Sequence, residues 1–132
     1  MHDVLLVEDN PGDVALTRIA FEESGLPVQL QAVTSLQDAR QLFETLLQRS
    51  DEKHPHLVLL DLNLGDGSGH DLLAYLKSNP ELAAIPVVVV TTSDSPQDRA
   101  RSITLGAAAY IVKPNSFDSF VDHLKKLAPL MA

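Results

Sequence analysis

"HLVLLDLNLGDGSG", His56 to Gly69, is the stretch whose reading decides the fold. Leu57 to Leu60 form an apolar run without polar alternation, the signature of a strand covered on both faces in the middle of a parallel sheet. The run then delivers a carboxylate, Asp61, into a glycine-rich turn. A carboxylate at the end of a buried strand must be paired, bound to a metal or employed chemically. "VVVV" at 87–90 has the same unalternating character and reads as a second central strand.

Working outward, "DVLLVED" places a first strand at Val4 to Val7. Pro11 follows at a favoured first helical position, with Asp9 or Asn10 as cap. That helix should run from about Gly12 to Ser24, its apolar face drawn from Val14, Ala15, Ile19 and Phe21. "VQLQAV" alternates, so Val28, Leu30 and Ala32 suggest a half-buried edge strand. Ser35 with Asp38 three residues on resembles a capping box and opens a helix to about Gln48. "RSDEKHPH" is a polar loop. Helices at about 70–78, 96–105 and 116–127 then alternate with the strands at 87–90 and 109–112. Strand–helix alternation of this kind builds an α/β fold around a parallel sheet.

With 132 residues and no repeat or flexible linker, residues 1–132 read as one domain. The absence of cysteine excludes disulfides and thiolate chemistry. A net charge of −8 argues against nucleic acid as a direct partner, because phosphate binding needs a basic patch. The start lacks the basic region of a secretory signal, and "LAAIPVVVV" is too short to span a bilayer. A cytoplasmic location with no membrane contact is expected.

The ends of the strands carry the chemistry. The first ends in Glu8 and Asp9, the third in Asp61, the fourth in Thr91 and Thr92, and the fifth in Lys113 and Pro114. In a parallel sheet all of these lie on one rim, where α/β proteins bind their ligands. Three ionised carboxylates at one place need a cation. Mg²⁺ suits them, since it takes carboxylate and carbonyl oxygens and keeps waters that a phosphate can replace. Lys113 and Thr91 add a positive charge and a hydroxyl donor, so the set fits a phosphoryl group attacked by a carboxylate. Asp61, leaving the most buried strand, is the best placed nucleophile.

"LLVEDN", "VLLDLNLGDGSG", "VVVVTTS" and "AAAYIVKP" resemble, in order and spacing, the receiver domain of two-component response regulators. Asp61 to Thr91 spans 30 residues and Thr91 to Lys113 spans 22, as in that family. A longer segment between Asp9 and Asp61 is the one departure. "VEDNPGD" and "VTTSDSPQD" look most like stand-alone receivers associated with phytochrome-type histidine kinases.

The resemblance implies a flavodoxin-like, doubly wound sheet of five strands in the order 2-1-3-4-5 with five helices. It implies that Asp61 is the phosphoacceptor, and that Asp9, Asp61 and the backbone carbonyl of Asn63 hold Mg²⁺, or Mn²⁺ in its place, with Glu8 in support. Thr91 and Tyr110 become the switch pair, with Tyr110 turning inward as Thr91 moves toward the phosphate. Lys113 contacts the phosphoryl group, and the Lys113–Pro114 bond is expected to be cis. Asn63 and Ser93 would tune the phosphoryl lifetime. The implied partners are a sensor histidine kinase and, in a homodimer, a second copy meeting this one through the helix 4, strand 5 and helix 5 face. No output domain is expected.

Two other functions compete. A phosphorylation-independent interaction module would usually lack an acid, the Thr or the Lys, all of which are here. A Mg²⁺-dependent aspartyl phosphatase usually carries a second Asp two residues after the nucleophile, where this chain has Asn63, which cannot act as that acid. His54, His56 and His123 read as surface residues, because no further ligand stands at metal spacing. "LAPLMA" reads as a frayed end, as packing against the domain or as a dimer contact.

Overall fold

The computed structural model describes residues 1–49 and 53–131. Its elements, in chain order, are β1 (His2–Val7), α1 (Pro11–Ser24), β2 (Val28–Val33), α2 (Leu36–Gln48) and β3 (Leu57–Leu60). A two-residue pair follows, β4 (Asn63–Leu64) and β5 (Gly67–Ser68), then α3 (Gly69–Ser78), β6 (Val87–Thr91) and α4 (Pro96–Thr104). β7 (Ala109–Val112), α5 (Phe117–Lys125) and a short 3₁₀ turn at Ala128–Met131 complete the chain. Part of the "RSDEKHPH" loop lies outside the described residues.

The main sheet has the order β2-β1-β3-β6-β7 with every pairing parallel. This is the expected 2-1-3-4-5 arrangement once the small β4–β5 hairpin is counted. The alternation of the pleat sorts the central strands into two cores. Leu57, Leu59, Val88 and Val90 join α1 and α5 through Ala20, Phe21, Phe120 and Leu124 on one face. Val58, Leu60, Val87 and Val89 join α2 and α3 through Phe43, Leu72, Leu73 and Leu76 on the other. Both faces of β3 and β6 are therefore buried, which is why neither strand alternates. β2 does alternate, with Gln29 and Gln31 exposed, as an edge strand should.

Each helix begins with a polar side chain that accepts from an N–H of its first turn. Asn10, rather than Asp9, caps α1 by accepting from Asp13 N at 3.1 Å, and Ser35 caps α2 by accepting from Asp38 N at 3.0 Å. Of the terminal "LAPLMA" segment, residues 127–131 pack against the domain: Leu127 and Met131 are buried in the α1–α5 core. α4 is different, since its only buried residue is Ser102. Hydrogen bonds hold it, since its apolar residues Pro96, Ala100 and Ile103 are all exposed. His70 of α3, buried, lies 2.9 Å through Nε2 from Ser102 Oγ, and that hydroxyl donates to the Asp98 carbonyl at 2.8 Å.

A candidate phosphoryl and metal site at the sheet rim

Register places the site. Val7 lies opposite Leu60, Leu60 opposite Val89, and Thr91 opposite Val112, so four neighbouring strands end level with one another. The residues that follow them, or end them, are Glu8, Asp61, Thr91 and Lys113. Far apart in the chain, they are neighbours because parallel strands with short carboxyl-end loops leave them nowhere else to go.

Glu8, Asp9 and Asp61 offer carboxylate oxygens that all lie within 4.8 Å of one another. Glu8 and Asp61 are buried and Asp9 is exposed, so the cluster opens to solvent on one side. Lys113 Nζ donates to Glu8 Oε1 at 2.6 Å, to Asp13 Oδ2 at 2.9 Å and to Asp61 Oδ2 at 3.4 Å. One ammonium thus faces four acids, counting Asp9. Burial pushes the Glu8 carboxyl up to about 7; Asp61 beside it adds to the rise, and the Lys113 hydrogen bond works against it. For Lys113, burial alone would lower the affinity for its proton. Hydrogen bonds to Glu8 and Asp13 and the charge of Asp61 outweigh that and raise it, so the ammonium stays charged.

This donor set fits a small divalent cation. Hard oxygen ligands converge, a solvent face remains for waters, and the acids outnumber the single cation that balances them. Asn63 N donates to Asp61 Oδ1 at 3.2 Å, orienting the carboxylate, and Asn63 belongs to the β4 strand at the pocket's edge.

Thr91 is fully buried, and its Oγ1 accepts from Ser93 N at 3.3 Å. Tyr110 is also buried, and its hydroxyl donates to the Ser93 carbonyl at 2.8 Å, with the Arg99 guanidinium 4.8 Å above the ring centroid. Tyr110 thus already stands inward, where the sequence led us to expect an inward turn coupled to Thr91. The Ser93 carbonyl supplies the reason, because it gives the buried phenol a partner. Ser93 Oγ donates to Asp98 Oδ2 at 2.6 Å, tying the loop after β6 to the first turn of α4.

One expectation is corrected. Among the described residues no peptide bond is cis, so the Lys113–Pro114 bond is trans. Trans is the lower-energy isomer of an X–Pro bond by about 0.5–1 kcal/mol, and Lys113 reaches the acids from that geometry. Asp13 was missed. Its signal is visible in "VEDNPGD": a helix opening just past a rim acid brings its third residue back over that rim. His56 is exposed, yet its Nδ1 accepts from Asp3 N at 2.9 Å and its ring meets that of His2 edge-on. His54 and His123 are half-buried, and among the described residues no histidine joins a metal-ligand cluster.

Comparison with known proteins agrees with this geometry. Residues 4–125 match the family model described as the response regulator receiver domain. The chain belongs to the response regulator receiver family. The response regulator Rcp1 of Synechocystis is 34% identical over 110 residues, covering 83% of this chain and 75% of Rcp1. The polar-differentiation response regulator DivK of Brucella ovis is 34% identical over 130 residues, covering 92% of each. Among solved structures, the phosphorylated cyanobacterial phytochrome response regulator RcpA superposes with a TM-score of 0.82 at 32% identity, covering 99% of this chain and 94% of that one. The Mn²⁺-bound form of Rcp1 gives 0.79 at 30% identity, covering 96% and 91%. The Rcp1 structure is of a Mn²⁺-bound form, and in this chain Glu8, Asp9 and Asp61 form an acidic cluster whose oxygens converge. No described helix is long and apolar enough to cross a membrane.

Proposed function

We propose that this receiver is a phosphorylation-dependent signalling switch, with Asp61 as the phosphoacceptor and a sensor histidine kinase as donor. The observation that carries the reading is the meeting of Glu8, Asp9 and Asp61 with Lys113 Nζ on one rim. A carboxylate oxygen of Asp61 attacks phosphorus in line, the P–N bond of the donor phosphohistidine breaks, and the imidazole leaves with its electron pair. Magnesium, when bound by Asp9, Asp61 and the Asn63 carbonyl with Glu8 nearby, supplies the charge neutralisation that the transferring oxygens need.

This chain's own groups do the rest. Asn63 N fixes one Asp61 oxygen, leaving the other to react. Lys113 exchanges part of its bonding to Glu8 and Asp13 for a phosphoryl oxygen. Thr91 offers its hydroxyl to another, giving up the bond from Ser93 N. Since Ser93 is tied to both Asp98 and Tyr110, that movement is passed to α4 and β7. Asn63 and Ser93 flank the path of the water that later hydrolyses the phosphoaspartate. Catalysis is limited to this self-phosphorylation and its reversal by hydrolysis, so the chain is not an enzyme acting on other substrates. Similarity to the phytochrome response regulator RcpA supports a phytochrome-type kinase as the donor, and the α4–β7–α5 face, where Ile103 is half exposed, is the proposed surface for a second copy or a target.

A small-molecule phosphodonor with Mg²⁺ should label the wild type, and Asp61→Asn should abolish the label. Labelling that survives in Asp61→Asn overturns the assignment. A second reading is favoured by the inward position of Tyr110: the surface is already set, and partner binding needs no phosphate. Under that reading Asp61→Asn binds its partner as tightly as the wild type.

A further inference from the structure

The β4–β5 hairpin is a weak structure by itself. Each strand has two residues, and the pairing consists of Asn63 with Ser68 and Leu64 with Gly67. Its two-residue turn, Gly65–Asp66, has no positive φ at either position. Tight hairpins are favoured by turns with positive φ, whose twist matches that of the strands. So the turn does not enforce the hairpin.

Yet this hairpin edges the acidic cradle. Asn63 N holds Asp61 Oδ1, and a Cβ placed on Gly65 would lie 3.5 Å from Asp9 Oδ2. Something outside the hairpin must fix its tip. Asp66 Oδ1 accepts from Leu36 N at 2.8 Å and Oδ2 accepts from Gln37 N at 3.0 Å, so both oxygens rest on the first two free amides of α2. Ser35 Oγ takes the next amide, Asp38 N. The helix end is thereby completed by a residue about thirty positions away, which gains a rigid, 13-residue anchor. Those two amides hold the Asp66 carboxyl below the usual carboxylate range.

We propose that Asp66 is a positioning residue for the divalent-cation site: by clamping the hairpin tip to the start of α2, it sets the Asn63 carbonyl and Gly65 against Asp61 and Asp9. The inference rests on reading the acidic cluster as a cation site, and it adds a residue that touches neither cation nor phosphate. It makes the geometry of the cradle depend on the contact of Asp66 with the first two amides of α2.

The test uses the full chain with Asp66→Asn, which keeps shape and exposure, and Ser35→Ala as control, which weakens the same helix end without touching the hairpin. Folding is checked by circular dichroism. In EDTA, amide exchange of residues 63–68 should quicken about 5–10-fold in Asp66→Asn and stay near wild type in Ser35→Ala. Mg²⁺ titration should show affinity reduced about 3–10-fold in Asp66→Asn, at or below the low end of the cost of losing a ligand-orienting partner. The loss should persist at about 1 M NaCl, where a through-space effect of the lost charge is screened within about 3 Å. Unchanged hairpin exchange, unchanged Mg²⁺ affinity, or a loss that vanishes in high salt each overturns the proposal. A wild type that binds no Mg²⁺ overturns the cation-site reading instead, and the exchange measurement still decides whether Asp66 clamps the hairpin.

Discussion

Lys113 Nζ and Glu8 Oε1 are 2.6 Å apart, although 105 positions separate the residues in the chain. The contact joins the end of β7 to the end of β1 across Asp61, and it places the one ammonium at the most buried of the acids. Removing it leaves like charges facing one another with no counter-charge. Lys113→Met should therefore destabilise the cation-free protein by about 2–4 kcal/mol near pH 8, at or below the roughly 3–5 kcal/mol for breaking a fully buried pair from one side, since Lys113 is partly exposed. Mg²⁺ should recover much of that loss. Urea unfolding in EDTA and in Mg²⁺ checks both, and equal losses in the two buffers would contradict the account.

Glu8 sets a pH dependence. Its folded carboxyl is raised to about 7 from an ordinary value of 4.5, so between these pH values the folded chain holds a proton that the unfolded chain has lost. Stability in EDTA should fall as pH rises through that window, by at most about 1.4 kcal/mol per pH unit, and level off above it. Glu8→Gln, which fixes the neutral form, should flatten the profile and be the more stable protein at pH 8. Parallel profiles for variant and wild type would refute this.

Gly69 permits the close approach that the site needs. A Cβ there would meet the Asp61 carbonyl oxygen, at a separation no pair of atoms accepts, and Leu62 Cα at 3.0 Å. Gly69→Ala must move α3 or the Asp61 backbone, with a cost of about 1–3 kcal/mol as in other overpacked sites. It should also weaken Mg²⁺ binding, because Asp61 shifts with its backbone. A stable variant with unaltered Mg²⁺ affinity would argue against the close packing.

The His70–Ser102 bond is expected to carry α4. Ser102→Ala strands a buried imidazole nitrogen and should cost about 1–3 kcal/mol. Exchange of amides in α4 should quicken more than in α1. If the loss is spread evenly over both helices, the bond is not what holds α4 in place.

Much of the site was legible because its signals are local. Unalternating "LVLL" and "VVVV" name central strands, and in a parallel sheet the residues after such strands share a rim, so Glu8, Asp61, Thr91 and Lys113 could be gathered from order alone. Asp66 and His70 could not be gathered that way. Each acts through a partner on another element, and nothing in "GDGSGH" states that Asp66 faces the start of α2 or that His70 faces Ser102. The bond before Pro114 and the inward Tyr110 are local conformational choices, and the sequence pattern names the residues without naming the conformer.

Met131 is 1% exposed, wedged beneath α1 and α5 with Leu127. Fusion partners or fluorescent reporters should accordingly be grafted beyond this methionine through a spacer, since a graft that replaces it would hollow out the apolar layer it shares with Phe21 and Phe120.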